Sequence, residues 1–481
     1  MAETAAPPKE LENLQDDLHE VQDLLRRHRL AESLIEDARE AGRDHDVPMA
    51  LGQNATELRT KLDRMHPADI AYILEALPPE DRLAIWDLVK AGRDGEILLE
   101  VSDAVRESLI ASMDPHELVA AAETLEADEI ADLASDLPDD VMHDVFQALP
   151  VEEREQLRAA MSYAEDAVGA LMDFDVVAVR DDVTLEVVTR YLRRFEEMPD
   201  HTDQLFVVDR DERFLGVLPL SRLIVAGLDR IVSTVMVRDV VTLYPDDKAE
   251  EGAKAFERYD LVSAPVVDEH GKLLGRVTVD KVLDFVREKS ESEVLAQAGL
   301  SEEEDVFASV WASVKNRWSW LAINMVTAFI ASRVIGAFEG SIERLVALAA
   351  LMPIVAGIGG NSGNQTITMI VRAVALGQVH IDHARKLFAK EIGVSMVNGL
   401  IWGGMLGIVA YLLYGNAALG IVMMAAMTLN LTLAAVMGVG IPLAMVRMGR
   451  DPALGSSVMI TAVTDSGGFF IFLGLATLFL V

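Results

Sequence analysis

One carboxylate stands where a carboxylate is costly. Asp465 lies in Thr461-Ala-Val-Thr-Asp-Ser-Gly-Gly-Phe-Phe470, inside the last long apolar stretch, Leu454–Val481. An acidic side chain at bilayer depth costs at least roughly 2.5–3.5 kcal/mol, and is retained where it faces a water-filled path, a cation or a partner. A second polar cluster occurs in another apolar stretch, Pro353-Ile-Val-Ala-Gly-Ile-Gly-Gly-Asn-Ser-Gly-Asn-Gln365. Asn361, Ser362, Asn364 and Gln365 supply neutral oxygens, which accept hydrogen bonds from the water shell of a hard cation. Pro353 removes a helical hydrogen bond and the glycines weaken the helix, so irregular backbone lining a cavity is expected there. Close helix packing through small residues is the competing reading.

The elements that must carry these residues are five apolar stretches: Trp318–Phe338, Leu345–Val371, Ile392–Tyr414, Ala417–Val446 and Leu454–Val481. Each reaches the ~20 residues needed to cross the hydrocarbon core. Lys315 and Arg317 precede the first; Arg372, Arg385, Lys386 and Lys390 follow the second; Arg447 and Arg450 follow the fourth. The positive-inside rule then puts the large N-terminal part in the cytoplasm and the C-terminus outside, in a multi-pass protein of the cell's inner (plasma) membrane. Arg333 reads as a snorkelling side chain. Asn324, Asn398 and Asn430 read first as interhelical glue, with ion ligation the alternative.

Charge separates the chain into two parts. From Trp318 onward there are 8 Lys+Arg and 6 Asp+Glu; before it there are 34 and 72. The acidic part repels phosphates, so no nucleic-acid partner is expected. There is no cysteine, which excludes disulfides and thiolate metal sites. Met1–Glu10 has no apolar core of a signal peptide, so the N-terminus is expected to stay in the cytosol. The chain is not expected to be an enzyme. It has no Walker A phrase or acid-phosphorylation motif, and no second catalytic carboxylate or histidine joins Asp465 within the spans. His380-Ile-Asp-His383 has ligand-like spacing but lies in a basic loop, and an interfacial helix is the simpler reading.

The acidic part is itself composite. Leu11, Leu14, Leu18, Val21 and Leu25 form one helical stripe, read as a docked helix in a 1–50 extension. Over 51–165 the phrase Ala68-Asp-Ile-Ala-Tyr-Ile-Leu-Glu-Ala-Leu-Pro-Pro79 is echoed by Asp128-Glu-Ile-Ala-Asp-Leu-Ala-Ser-Asp-Leu-Pro-Asp139. Short amphipathic helices ended by Leu-Pro predict a small helical repeat domain. Over 166–288 strands are expected at Val176–Val179, Leu205–Val208 and Leu215–Leu218, and again at Val240–Leu243, Ala264–Val267 and Leu274–Val279. The paired phrases FVVDRDERFLGVLPLSRL and PVVDEHGKLLGRVTVDKV resemble a tandem pair of CBS domains (α+β), at about 168–230 and 233–288. Such pairs commonly bind adenosine nucleotides such as ATP. A connecting helix, 289–317, and the membrane domain, 318–481, complete the expected multidomain membrane protein.

This order, with Met352–Gln365, Val371-Arg-Ala-Val-Ala-Leu-Gly377, Asp451-Pro-Ala-Leu454 and Thr464-Asp465 with Gly468-Phe469, resembles the MgtE family of magnesium channels. The resemblance implies a homodimer in the lipid bilayer, with a Mg²⁺ pore on its twofold axis. Asp465 from each protomer would hold the hydrated ion by charge, while Asn361, Asn364, Gln365 and the backbone of Thr461 contact its waters. It further implies closure when cytosolic Mg²⁺ bridges acidic faces, with Glu250, Asp260, Asp284, Glu293 and Asp451 at the matching positions. Lys281, Lys289 and Ser292 depart from the acidic connecting helix common in the family; a lysine there would bridge to a carboxylate without an ion. An ion-coupled divalent-cation transporter, and a membrane-anchored Mg²⁺ or nucleotide sensor that moves nothing, are the alternatives.

Overall fold

The structure, a computed structural model, describes residues 14–40, 48–89, 92–195, 198–298, 300, 305–375, 384–452 and 455–481. It divides into two compact units, residues 1–288 with 305–307, and residues 289–304 with 308–481. His380–His383 falls outside the described residues, as does Leu11.

The first unit begins with ten helices. They are α1 (Leu14–Glu40), α2 (Pro48–Leu62), α3 (Pro67–Glu75), α4 (Pro79–Trp86), α5 (Asp94–Glu100), α6 (Asp103–Ile110), α7 (Pro115–Ala122), α8 (Ala127–Leu133), α9 (Asp139–Ala148) and α10 (Val151–Ala160). The stripe on α1 is a docked face: Val21 and Leu25 are buried in one core with Leu58 and Leu62 of α2. From α3 to α10 no helix exceeds ten residues. Helices that short do not hold alone in water, so shared burial of one apolar face must stabilise them. Ile70, Ile73, Ile85, Ile97 and Ile130 form that core, all with no exposed surface. Sequence-encoded caps set the boundaries. Asp114 with Glu117, and Glu126 with Glu129, close capping boxes on α7 and α8.

Two small sheets follow. β1 (Ala178–Arg180) lies parallel to β2 (Gln204–Val208), which pairs antiparallel with β3 (Phe214–Pro219); α11 (Leu185–Leu192) connects the first two. After α12 (Leu220–Val225), α13 (Val232–Val235) and α14 (Ala249–Tyr259), β4 (Ser263–Val267) pairs antiparallel with β5 (Leu273–Thr278). The halves repeat in detail. Each hairpin shifts register at a Val-Val step, Val207/Val208 and Val266/Val267. Asp209 and Asp268 each accept two backbone N–H groups to shape the turn. Glu212 and Gly271 take the left-handed conformation at corresponding turn positions. The strand expected at Val240–Leu243 does not form. That segment joins the second sheet through a single parallel bridge, Leu243 to Val266. α15 (Val279–Ala298) leaves β5 and carries the boundary between the two units.

The second unit contains α16 (Val310–Gly336), α17 (Glu339–Arg344), α18 (Ala347–Ala375), α19 (Ala384–Tyr414), α20 (Ala417–Arg447) and α21 (Ser456–Phe479). Among the described residues α16, α19, α20 and α21 are long and apolar enough to cross a membrane. α18 has 29 residues, and a helix of that length spans roughly 44 Å. Its polar run, Asn361–Gln365, lowers its average apolarity. The second stretch also differs from expectation in its backbone. α18 is one helix through Pro353 and its glycines, not an interrupted segment. Its glycines serve close approach. A Cβ on Gly363 would come within 2.4 Å of Ile460 on α21, and one on Gly359 within 2.2 Å of Asn430 on α20. α20 is the axis of the unit, with Met423, Met427, Asn430 and Val439 fully buried. α19 packs on it through Gly399, Gly403 and Gly407, the small-residue spacing that lets membrane helices approach.

Candidate cation path and acidic sites

The helix that carries Asp465 starts abruptly. Gly455 has φ 65°, and a Cβ there would meet the Trp320 ring at 2.2 Å, so glycine is required on both counts. The Gly455 N–H points to the carbonyl of Ala296, the end of α15, at 3.4 Å. Asp465 lies ten residues further on, roughly 15 Å along the axis.

Asp465 is half-buried and lines a cavity of about 400 Å³ with Asn324, Thr327 and Ala328 of α16 and Ser457, Val458, Thr461 and Ala462 of α21. Six waters around an octahedral Mg²⁺ occupy roughly 200 Å³. The cavity therefore admits a hydrated ion. One carboxylate, one amide and three hydroxyl side chains are suited to hold such an ion through its waters.

Asn361 and Gln365 are exposed on α18, and the Asn364 side-chain oxygen is buried with no hydrogen-bond partner among the described residues. These three do not line the Asp465 cavity of the single chain. Their helix is nevertheless held against α21: Ile460 lies over Gly363, and Thr464 over Gly360. Asn430 explains how. Its Nδ2 donates to the Val355 carbonyl at 2.9 Å, and its amide fills the space left by Gly359 and Gly468. Its role is interhelical glue. Asn324, for which glue is the first reading from the sequence and ion ligation the alternative, lines the Asp465 cavity, together with Thr327 and Ser457, which the sequence does not single out. The i, i+3 pair Asn324 and Thr327, on one face of an otherwise apolar helix, was the available signal.

The five acidic residues expected from the resemblance fall in both units, Glu250, Asp260 and Asp284 in the first, Glu293 and Asp451 in the second. Glu250 pairs with Lys254 at 2.6 Å on α14, and Asp260 caps that helix in the left-handed conformation. Asp284 stands on α15, 3.6 Å from Arg287, with Glu293 further along the helix. Asp451 is exposed just after α20. Among the described residues, three carboxylates gather elsewhere: Glu126, Asp128 and Asp173 offer oxygens all within 4.8 Å of one another. Burial, then Asp173, Asp175, Asp128 and Glu129, push the Glu126 carboxyl up to about 7. Burial pushes Asp173 up to about 6, although Arg276 binds it at 2.7 Å. Nothing in local spacing marks this group, because Asp173 comes from the CBS part and the other two from the helical part. Beside it, Lys281 bridges Asp128 at 3.0 Å and Asp132 at 3.2 Å.

Known proteins resemble this chain along most of its length. The divalent cation transporter family MgtE matches residues 352–475, the MgtE intracellular N domain matches 65–166, and CBS domains match 168–229 and 232–288. The chain is 32% identical over 447 residues to the magnesium transporter MgtE of Thermus thermophilus, covering 89% of this chain and 98% of that protein. It is 24% identical over 424 residues to the magnesium transporter MgtE of Bacillus subtilis, covering 88% and 94%. A solved cytosolic domain of the Mg²⁺ channel MgtE in complex with ATP is 32% identical, with TM-score 0.44, covering 52% of this chain and 98% of that one. With three family regions in sequence and a 32% identical relative matched over nearly its whole length, the chain belongs to the MgtE family.

Proposed function

We propose that this protein conducts Mg²⁺ into the cell through a twofold-symmetric dimer in the inner membrane, with its N-terminal domains in the cytoplasm and its C-terminus outside. The observation that carries the reading is Asp465: a carboxylate in an apolar helix, opening on a cavity of about 400 Å³ that Asn324, Thr327, Ser457 and Thr461 also line. In the dimer, Asp465 and its symmetry copy form a charged pair that holds the hydrated ion loosely enough to release it. Asn361, Asn364, Gln365 and Thr461 contact the ion's waters.

Cytosolic Mg²⁺ closes the path by neutralising acidic surfaces of the helical domain, the CBS pair and α15, with Glu250, Asp260, Asp284, Glu293 and Asp451 as ligands. The contact between Ala296 and Gly455 supports this coupling, because it joins the end of α15 to the start of the Asp465 helix. An adenosine nucleotide at the CBS pair belongs to the same proposal, on the match to CBS domains.

Growth of a Mg²⁺-transport-deficient host at limiting Mg²⁺ tests the central point. The wild-type gene restores growth, and Asp465→Ala, expressed equally, does not. Restored growth with Asp465→Ala would overturn a path through that carboxylate. Loss of growth with Asp465→Ala excludes a sensor that moves no ion.

A further inference from the structure

The helical domain and the CBS pair approach each other through surfaces of the same sign. α8 presents Asp128 and Asp132 one helical turn apart, with Glu129 between them and Glu126 at its cap. Opposite stand Asp173 and Asp175. Like charges at this spacing repel unless a cation lies between them. Two basic side chains are near. The Arg276 guanidinium is engaged by Asp173 at 2.7 Å and by the Asp200 carbonyl at 2.8 Å, so it remains within the CBS pair. Lys281, at the start of α15, crosses to α8: its Nζ lies 3.0 Å from an Asp128 oxygen and 3.2 Å from an Asp132 oxygen. The Asp128 carboxylate is 5% exposed, so the pair is largely shielded from solvent on that side.

We propose that Lys281 is a tethered cation that holds the helical domain on the CBS pair, so that this contact forms without any free divalent ion. An ammonium has three donors and no capacity to ligate a metal, and it excludes Mg²⁺ from the oxygens it occupies. Because it is attached to the chain, it does not dissociate as the free ion concentration falls. Burial by itself disfavours the ammonium; Asp128 and Asp132 outweigh it and raise its pKa, so the charge persists across the physiological range. The consequence for regulation rests on the cation-gating reading above. Mg²⁺ sensing then acts on other acidic surfaces, while this seam stays shut.

Hydrogen exchange on the full-length protein in lipid nanodiscs, in EDTA and in millimolar Mg²⁺, tests the contact directly. Wild-type amides of α8 and the first half of α15 are expected to show equal protection in both. Lys281→Met is expected to lose about tenfold or more protection in EDTA and to recover it in Mg²⁺, whereas Lys281→Arg keeps it. If Lys281→Met does not fold, Asp132→Asn, at the half-exposed partner, decides: loss confined to EDTA supports the tether, and no loss overturns it. Protection that depends on Mg²⁺ in the wild type, or Lys281→Met unchanged in EDTA, overturns it as well. Ion flux is not read in this experiment, so failure of the transport reading leaves its outcome intact.

Discussion

Arg82, with no exposed surface, holds Asp305 at 2.8 Å across 223 residues of sequence. The same guanidinium donates to the Leu74 carbonyl at 3.0 Å and the Leu77 carbonyl at 3.2 Å. It therefore satisfies the end of α3 and fixes the segment that leads toward α16. Removing one partner of a buried pair leaves the other charge uncompensated, at a cost of about 3–5 kcal/mol. Arg82→Met should lower the melting temperature of the first unit accordingly, and Asp305→Asn should lower it less. An unchanged melting temperature in Arg82→Met would refute the role.

Asn430 makes a second, sharper test of packing. A Cβ at Gly359 would lie 2.2 Å from its Nδ2, and one at Gly468 2.7 Å away. Overpacking of this kind typically costs 1–3 kcal/mol. Gly359→Ala and Gly468→Ala should each reduce thermal stability in detergent by about that amount. Asn430→Ala in either background should return part of the loss, because the clash and the wedge are one interaction. A neutral Gly359→Ala would remove the wedge from the account.

Much of this architecture was legible in the chain because its signals are local. The Leu-Pro helix ends, the paired Val-Val-Asp turns and the lengths of the apolar stretches each report on one element. Asp465 was legible for the same reason, being a charge in an apolar helix. What could not be read depends on contacts between distant segments. Asp173 meets Glu126 and Asp128 only through the docking of two domains. The glycines of α18 looked like helix breakers because their partners, Asn430 and Ile460, lie on other helices. The continuous α18 follows from that packing, which outweighs intrinsic propensity.

Asp94 gives a pH dependence with a defined sign. It is 8% exposed at the start of α5, and burial, then Glu117, push its carboxyl up to about 6 from an ordinary 3.8. The folded chain thus holds this proton to higher pH than the unfolded one. Its contribution to stability is complete below 3.8 and is lost as pH rises through about 6. Asp94→Asn removes the ionisation, and should stabilise the first unit by roughly 1–3 kcal/mol near neutral pH. The advantage should shrink on acidification toward the ordinary aspartate range. Denaturant unfolding across that pH interval measures it, and a pH-independent difference would contradict the assignment.

Asn324 decides whether the α16 wall belongs to the ion path. It shares the Asp465 cavity with Thr327, whose hydroxyl donates to the Asn324 carbonyl at 2.9 Å. Leucine in its place removes a water-binding group and leaves apolar surface where a hydrated ion must pass. Displacing an ordered water without replacing its hydrogen bonds weakens binding. Mg²⁺ uptake by Asn324→Leu should fall by about three- to tenfold at equal surface expression, a loss of roughly 1 kcal/mol in the path. Asn324→Asp makes the opposite change, placing a second carboxylate beside Asp465 within one protomer. Tighter binding favours entry and slows release, so uptake should rise at low external Mg²⁺ and saturate at a lower maximal rate. Wild-type flux in both variants across the whole concentration range would remove α16 from the path and leave α21 as its wall.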